Sequence, residues 1–328
     1  MPVTFEFDRP TAIKVAEFLE SSGMAKEAAD VWLNLSAEDP YDRHVRERFG
    51  NLLFEISQAA YRPGTIERSQ FILRVIGHSW PTPILRQAYF DNLQMVLRGK
   101  NRRGQSGAVV LGLGAGRCGS ATLTAAFAAL PEACATHEIP PLVFWEPAAE
   151  QLQFHWDRFR LLSEYFAVVF DTAPPWINAA SAFLREFPQG KVVGLYRDTA
   201  ANVQSYLSIQ GSGGEASNLW APRGSHLWRT TPADPSYPSY AVPARLLNDL
   251  NAARAEAIER FVTEYNQMLK SLAAAHTGRL LLVRTEEMNT DETARQLQDF
   301  LGVPLVMPAA LNVGGTTDSR KLKQSRAF

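Results

Sequence analysis

Apolar residues recur every three to four positions through the first hundred residues and then change rhythm. Residues 11–19, 25–35, 42–59, 66–76 and 83–97 carry the helical period, broken by Gly23, Pro40, Pro63, Pro81 and Pro83. They predict antiparallel helical hairpins forming an all-α domain over residues 1–100. A basic, glycine-containing stretch, RGKNRRGQSG at 98–107, reads as a linker. Beyond it short apolar runs alternate with helical stretches: strands at 109–111, 133–137, 167–170, 192–196 and 280–283, and helices at 121–130, 179–187, 200–209, 245–275 and 293–301. Such alternation predicts an α/β domain over 107–328 with a parallel sheet flanked by helices. Residues 211–243 show neither rhythm and read as a long irregular loop.

The first strand of the α/β part runs into the densest glycine cluster, AVVLGLGAGRCGSATL at 108–123. Glycines 112, 114, 116 and 119 allow positive φ and close approach to a ligand, and Ser120 or Thr122 opens a helix whose first N–H groups attract anions. Three nucleotide folds compete for this loop. Gly114, Gly116 and Gly119 spell GxGxxG with Glu138 about 20 residues on, the spacing of a dinucleotide site. Gly114, Gly119 and Ser120 match a phosphotransferase P-loop without its lysine, with Asp171 as the metal ligand. The third reading comes from a resemblance given below.

Composition narrows the partners. The chain has 328 residues, 46% of them hydrophobic, with 33 basic against 34 acidic residues and a net charge of −1. That is a globular protein with no global field to recruit nucleic acid, so an anion site must be local. No apolar run is long enough to span a bilayer and no leader is evident at residues 1–12, which points to the cytoplasm. Cys118 and Cys134 read as free thiols of a reducing compartment. His155, His226 and His276 are scattered, and no metal-ligand spacing occurs.

The segment GRCGSATL resembles the 5′-phosphosulfate loop of the sulfotransferases that use 3′-phosphoadenosine-5′-phosphosulfate (PAPS). VVGLYRDTAANVQSYL is similar to their 3′-phosphate motif, with Arg197 ending a strand and Ser205 about two turns into the next helix. LLLVRTEEMNTDETARQLQDFLGVP looks like the family's closing strand, acidic turn and FLG helix. The resemblance implies a P-loop-like sulfotransferase fold, PAPS as co-substrate and no metal. It also implies that Arg117, Ser120 and Thr122, with backbone groups of Cys118, Gly119, Ser120 and Ala121, hold the 5′-phosphate and sulfuryl group. Arg197 and Ser205 would take the 3′-phosphate, and the basic tail with Arg320, Lys321 and Lys323 would close over it. Sulfuryl transfer also needs a base for the acceptor's proton. Glu138, just past the second strand, is the favoured residue, and His137 is its neighbour and rival.

The resemblance implies an acceptor with a hydroxyl or amine: a carbohydrate, a peptide tyrosine or a small molecule. Trp220, His226 and Trp228, with Tyr237 and Tyr240, supply stacking groups for it in the 211–243 stretch. Gly23, Ala28, Trp32 and Pro40 fall at the spacing of half a tetratricopeptide repeat, which implies a protein partner or self-association through the helical domain. Arg62 and Pro63 break a second copy, so a plain helical bundle stands beside that reading, and a non-catalytic nucleotide-binding adaptor stands beside the enzyme.

Overall fold

The computed structural model describes residues 8–39, 42–208, 222–223, 227–229, 234 and 236–308. The chain divides between Lys100 and Asn101 into two compact units. The first holds five helices, α1 (Arg9–Ser21), α2 (Ala25–Glu38), α3 (Arg43–Ser57), α4 (Ile66–His78) and α5 (Pro83–Leu97). Local chemistry starts four of them: the side chains of Asp8, Asp42, Thr65 and Thr82 accept N–H bonds from the first turns of α1, α3, α4 and α5. Consecutive helices pack on one another around fully buried Ala16, Ala28, Trp32 and Val45. Gly23 makes the α1–α2 turn at φ 78°. Pro40 lies outside the described residues.

The second unit runs β1 (Ala108–Gly114), α6 (Ser120–Ala128), β2 (Ala133–His137), α7 (Ala149–Ser163), β3 (Val168–Thr172), α8 (Trp176–Glu186), β4 (Lys191–Tyr196) and α9 (Thr199–Leu207). It continues with β5 (Pro222–Arg223), β6 (Leu227–Arg229), β7 (Ser239–Ala241), α10 (Leu250–Ala275), β8 (Leu280–Arg284) and α11 (Asp291–Leu301). Five strands form a parallel sheet in the order β2-β3-β1-β4-β8. Strand β1 is central, and every residue from Val109 to Gly114 is buried, which is why its sequence is continuously apolar. Helices cover the sheet. Phe127 of α6 stacks on Phe170 of β3 at 4.0 Å between ring centroids, within a core that includes Val110, Leu123, Val193, Leu195 and Leu297.

Three features depart from the sequence reading. Helix α7 was not signalled: Gln151, His155, Arg158 and Ser163 are buried together with Phe154, Trp156, Phe159 and Leu162, so no polar stripe alternates with an apolar one. The stretch read as irregular contains a three-stranded antiparallel sheet, β5-β6-β7. Helix α10 begins at Leu250, five residues after the expected start, because a 3-10 turn at Ala244–Leu246 follows Pro243 and Asp249 caps the helix through Ala252 N–H at 3.0 Å.

Candidate active site

Because all five strands run the same way, their carboxyl ends share one edge, and Gly114, His137, Thr172, Tyr196 and Arg284 end there. Open α/β sheets bind ligands at this edge. The glycine loop crosses it from Ala115 to Gly119. Gly116 and Gly119 have φ of 84° and 88°, and Arg117 between them takes φ 53°, so three of the loop's residues are left-handed. Gly119 N-caps α6 without a side-chain bond, and the first helical hydrogen bond runs from Leu123 N–H to Gly119 O at 3.0 Å. The N–H groups ahead of Leu123 therefore have no carbonyl of their own helix, which is the physical basis of an anion site.

Several distant residues hold the loop. The Tyr265 hydroxyl on α10 accepts from Gly114 N–H at 2.9 Å and donates to Pro174 O at 3.0 Å. The Tyr206 hydroxyl on α9 donates to Ala115 O. Thr285, just past β8, donates to Cys118 O at 2.7 Å and lies 3.1 Å from Tyr196 O, joining the loop to the end of β4. The Cys118 thiol is buried beneath the loop, takes backbone N–H bonds from Gly116 and Ser120, and is pushed up to about 11 by burial. It is an internal anchor and a poor nucleophile at neutral pH.

Two polar clusters adjoin the loop. Toward β2, Ser120 Oγ lies 2.9 Å from His137 Nε2. Glu138 follows at φ 50°, its N–H bonded to Thr172 O at 2.8 Å and its side chain exposed. Toward β4, Arg117 Nε donates to Ser205 Oγ at 3.3 Å, and Arg197 Nη1 donates to Arg117 O at 2.9 Å. Burial holds the Arg117 guanidinium below its usual range, and the positive charge of Arg197 pushes in the same direction. Glu286 lies 3.9 Å from Arg197 Nε, and Glu186 pairs with Arg160. Ala121 and Thr122 are both buried in the first turn of α6.

Asp171 does not face the loop. Its oxygens accept from Thr136 Oγ1 and from Trp176 Nε1, the latter at 2.6 Å, and burial raises its pKa while Arg158 opposes the shift. Among the described residues no three His, Cys, Asp or Glu side chains converge as metal ligands. Trp220, His226, Arg320, Lys321 and Lys323 lie outside the described residues, and for Trp228 only the backbone in β6 is described.

Sequence reading missed an aromatic cluster that later elements build on the segment after β2. Trp145 packs at a tilt against buried Tyr237, 4.9 Å between ring centroids, beside Phe261 and Tyr265. Asp234 accepts from Trp145 N–H at 2.6 Å and from the Ser236 hydroxyl at 2.6 Å, latching the segment ahead of β7 onto the segment after β2. Of this wall only Tyr237 was named from the sequence.

No curated protein matches the chain. Among solved structures, it is similar to the sulfotransferase domain from the Synechococcus PCC 7002 olefin synthase, at 15% identity and a TM-score of 0.35, over 70% of this chain and 88% of that one. No helix among the described residues is long and apolar enough to cross a membrane. Residues 109–310, the span that contains the glycine loop, Arg197, Ser205 and Thr285, match the family model of the sulfotransferase domain. With that match covering more than half its length, the chain belongs to the sulfotransferase domain family.

Proposed function

We propose that the chain transfers a sulfuryl group from PAPS to a hydroxyl or amine of a carbohydrate, peptide tyrosine or small-molecule acceptor. The observation that carries this reading is the pair of cationic and hydroxyl clusters on either side of one left-handed glycine loop, which suits a donor with phosphate at both ends. The N–H groups at the start of α6, with Ser120, would hold the 5′-phosphosulfate, and Arg197 and Ser205 the 3′-phosphate.

In the reaction the acceptor oxygen attacks sulfur, the bond from sulfur to the bridging phosphate oxygen breaks, and 3′,5′-adenosine bisphosphate leaves. Negative charge builds on the departing phosphate, where the amide groups and the nearby guanidinium groups stabilise it without rearranging. The acceptor's proton passes to Glu138. His137, hydrogen-bonded to Ser120, would orient that hydroxyl toward the transferring group. The chemistry calls for no metal, and the helical unit would serve as the contact surface for a partner protein or a second copy of the chain.

Calorimetric titration with 3′,5′-adenosine bisphosphate, ATP and NAD, each with and without magnesium, tests the donor. Tight, magnesium-independent binding of the bisphosphate that Arg197→Ala weakens is the expected outcome; a preference for Mg-ATP or NAD would overturn the reading. Glu138→Gln should abolish turnover while leaving bisphosphate binding intact, and unchanged turnover would remove Glu138 as the base.

A further inference from the structure

Helix α10 leads into β8 across residues 276–279, so it runs against the direction of the strands. Its Tyr265 hydroxyl takes the Gly114 N–H, which sets that residue level with the carboxyl edge of the sheet. The part of α10 ahead of Tyr265 therefore overhangs the edge. Arg254, Phe261 and Tyr265 follow one another at helical spacing and lie on one face of α10. Phe261 meets Trp145, from the segment after β2, at 6.2 Å and Tyr237 at 6.0 Å between ring centroids. Arg254 stands two turns further out on the same face, about 10 Å along the helix axis.

Two polar groups along this overhang are more than nine-tenths buried and have no partner. Arg254 is 4% exposed, its Nε is sealed from water, and it makes no hydrogen bond or ion pair among the described residues. Burial holds its guanidinium below the usual range, and no carboxylate opposes the shift. Tyr237 is also 4% exposed, and its hydroxyl makes no hydrogen bond among the described residues. Burial, the phenols of Tyr206 and Tyr265 and the charge of Glu138 hold that hydroxyl well above its usual range, so at neutral pH it is a donor. A buried cation without a counter-charge is costly to the folded state, and an anion that arrives with a ligand removes the cost. We infer that Arg254 pairs with a carboxylate carried by the acceptor, so that the acceptors of this protein are acids. This rests on the sulfuryl-transfer reading above and narrows its acceptor class. A guanidinium presents a planar fork that a carboxylate meets with two oxygens, and one such group balances the single charge of a carboxylate better than a phosphate dianion. Along α10 the ring of Phe261 lies between Arg254 and the loop, and half-buried Trp145 beside it offers a face for the body of the acceptor.

The first test needs no acceptor. Arg254→Met keeps an unbranched side chain and removes the charge, so the Tm of the ligand-free protein should rise by about 2–4 °C. An unchanged or lower Tm would mark a structural arginine and overturn the inference. The second test uses matched probes in calorimetric titration, 4-hydroxyphenylacetate against 4-hydroxyphenylacetamide and glucuronate against glucose, each with and without 3′,5′-adenosine bisphosphate. In the unaltered protein the acid of at least one pair should bind at least tenfold more tightly than its neutral mate. Arg254→Gln should erase that preference while changing the affinity of the neutral mate by less than twofold, and Arg254→Lys should keep part of it. Tyr237→Phe should weaken both members of the pair alike; a preference lost there instead would move the anion contact to Tyr237. That result, no preference for either acid, or a preference that survives Arg254→Gln would each overturn the inference. Failure to bind the bisphosphate would defeat the donor reading instead, because the acid preference is read without it as well.

Discussion

Replacing Tyr265 with phenylalanine removes a single oxygen from a residue that is 1% exposed. That oxygen accepts the N–H of Gly114, the last residue of β1, at 2.9 Å and donates to Pro174 O at 3.0 Å. The two partners fare differently in the variant. Pro174 O keeps a second donor, Ile177 N–H at 3.3 Å, whereas the Gly114 N–H loses its acceptor in a buried place. A buried donor left unsatisfied costs about 1–3 kcal/mol. The ring is unchanged, and so are its contacts with Trp145 and Phe261, at 6.2 Å and 5.9 Å between centroids. The expected loss is therefore about 2 kcal/mol, all of it from one hydrogen bond. For a unit of this size that corresponds to a fall in Tm of about 4–8 °C. Urea unfolding of the full chain should give the free energy, and hydrogen exchange at Gly114 should accelerate by more than at other β1 amides. A loss below about 0.5 kcal/mol, the scale of an ordinary surface substitution, would refute the reasoning, because it would mean that Gly114 finds another acceptor.

Gly116→Ala sets a methyl group 2.2 Å from the Tyr206 hydroxyl at a position with φ 84°, so bisphosphate affinity should fall at least tenfold in titration; unchanged affinity would show that the loop tolerates a shift of Tyr206. Burial lowers the pKa of His155 from 6.5 to about 3, so the folded state binds fewer protons than the unfolded chain between those values. Stability should then fall as pH drops through that window, by up to about 1.4 kcal/mol per pH unit, and His155→Phe should flatten the acid limb of a stability–pH curve. The Cys118 thiol, raised to about 11, should resist iodoacetamide at pH 8 in the native protein and react once the chain is unfolded, as read by mass spectrometry. Its folded-state pKa exceeds the unfolded value, so its contribution to stability is full below pH 9 and is lost as pH rises toward 11.

What the sequence disclosed was local. The strand, glycine loop and helix at 108–123 announce themselves because a buried parallel strand is apolar throughout and a left-handed turn needs glycine. Spacing alone put Arg197 at a strand end and Ser205 two turns into the next helix, and each contacts Arg117 of the loop. The ties that shape the loop were not: Tyr265 is 151 residues from Gly114, and Thr285 is 167 residues from Cys118. A tyrosine in a long helix and a threonine after a strand carry no mark of such partners. Helix α7 stayed hidden for another reason, since His155 and Arg158 are buried beside Phe154 and Phe159 and erase the polar face that periodicity depends on.

That strand order also sets a timetable for biosynthesis. The central strand emerges first, but its neighbours β3 and β4 and the edge strand β8 come later, and Thr285 follows the loop by 167 residues. At ordinary elongation rates of about 5–20 residues per second, the glycine loop waits roughly 8–33 seconds for that hydroxyl. Until β3 and β4 emerge, β1 is an apolar segment with unpaired edges, the kind of surface that chaperones recognise. A nascent chain stalled before β8 lacks the Thr285 hydroxyl that ties the glycine loop to the end of β4.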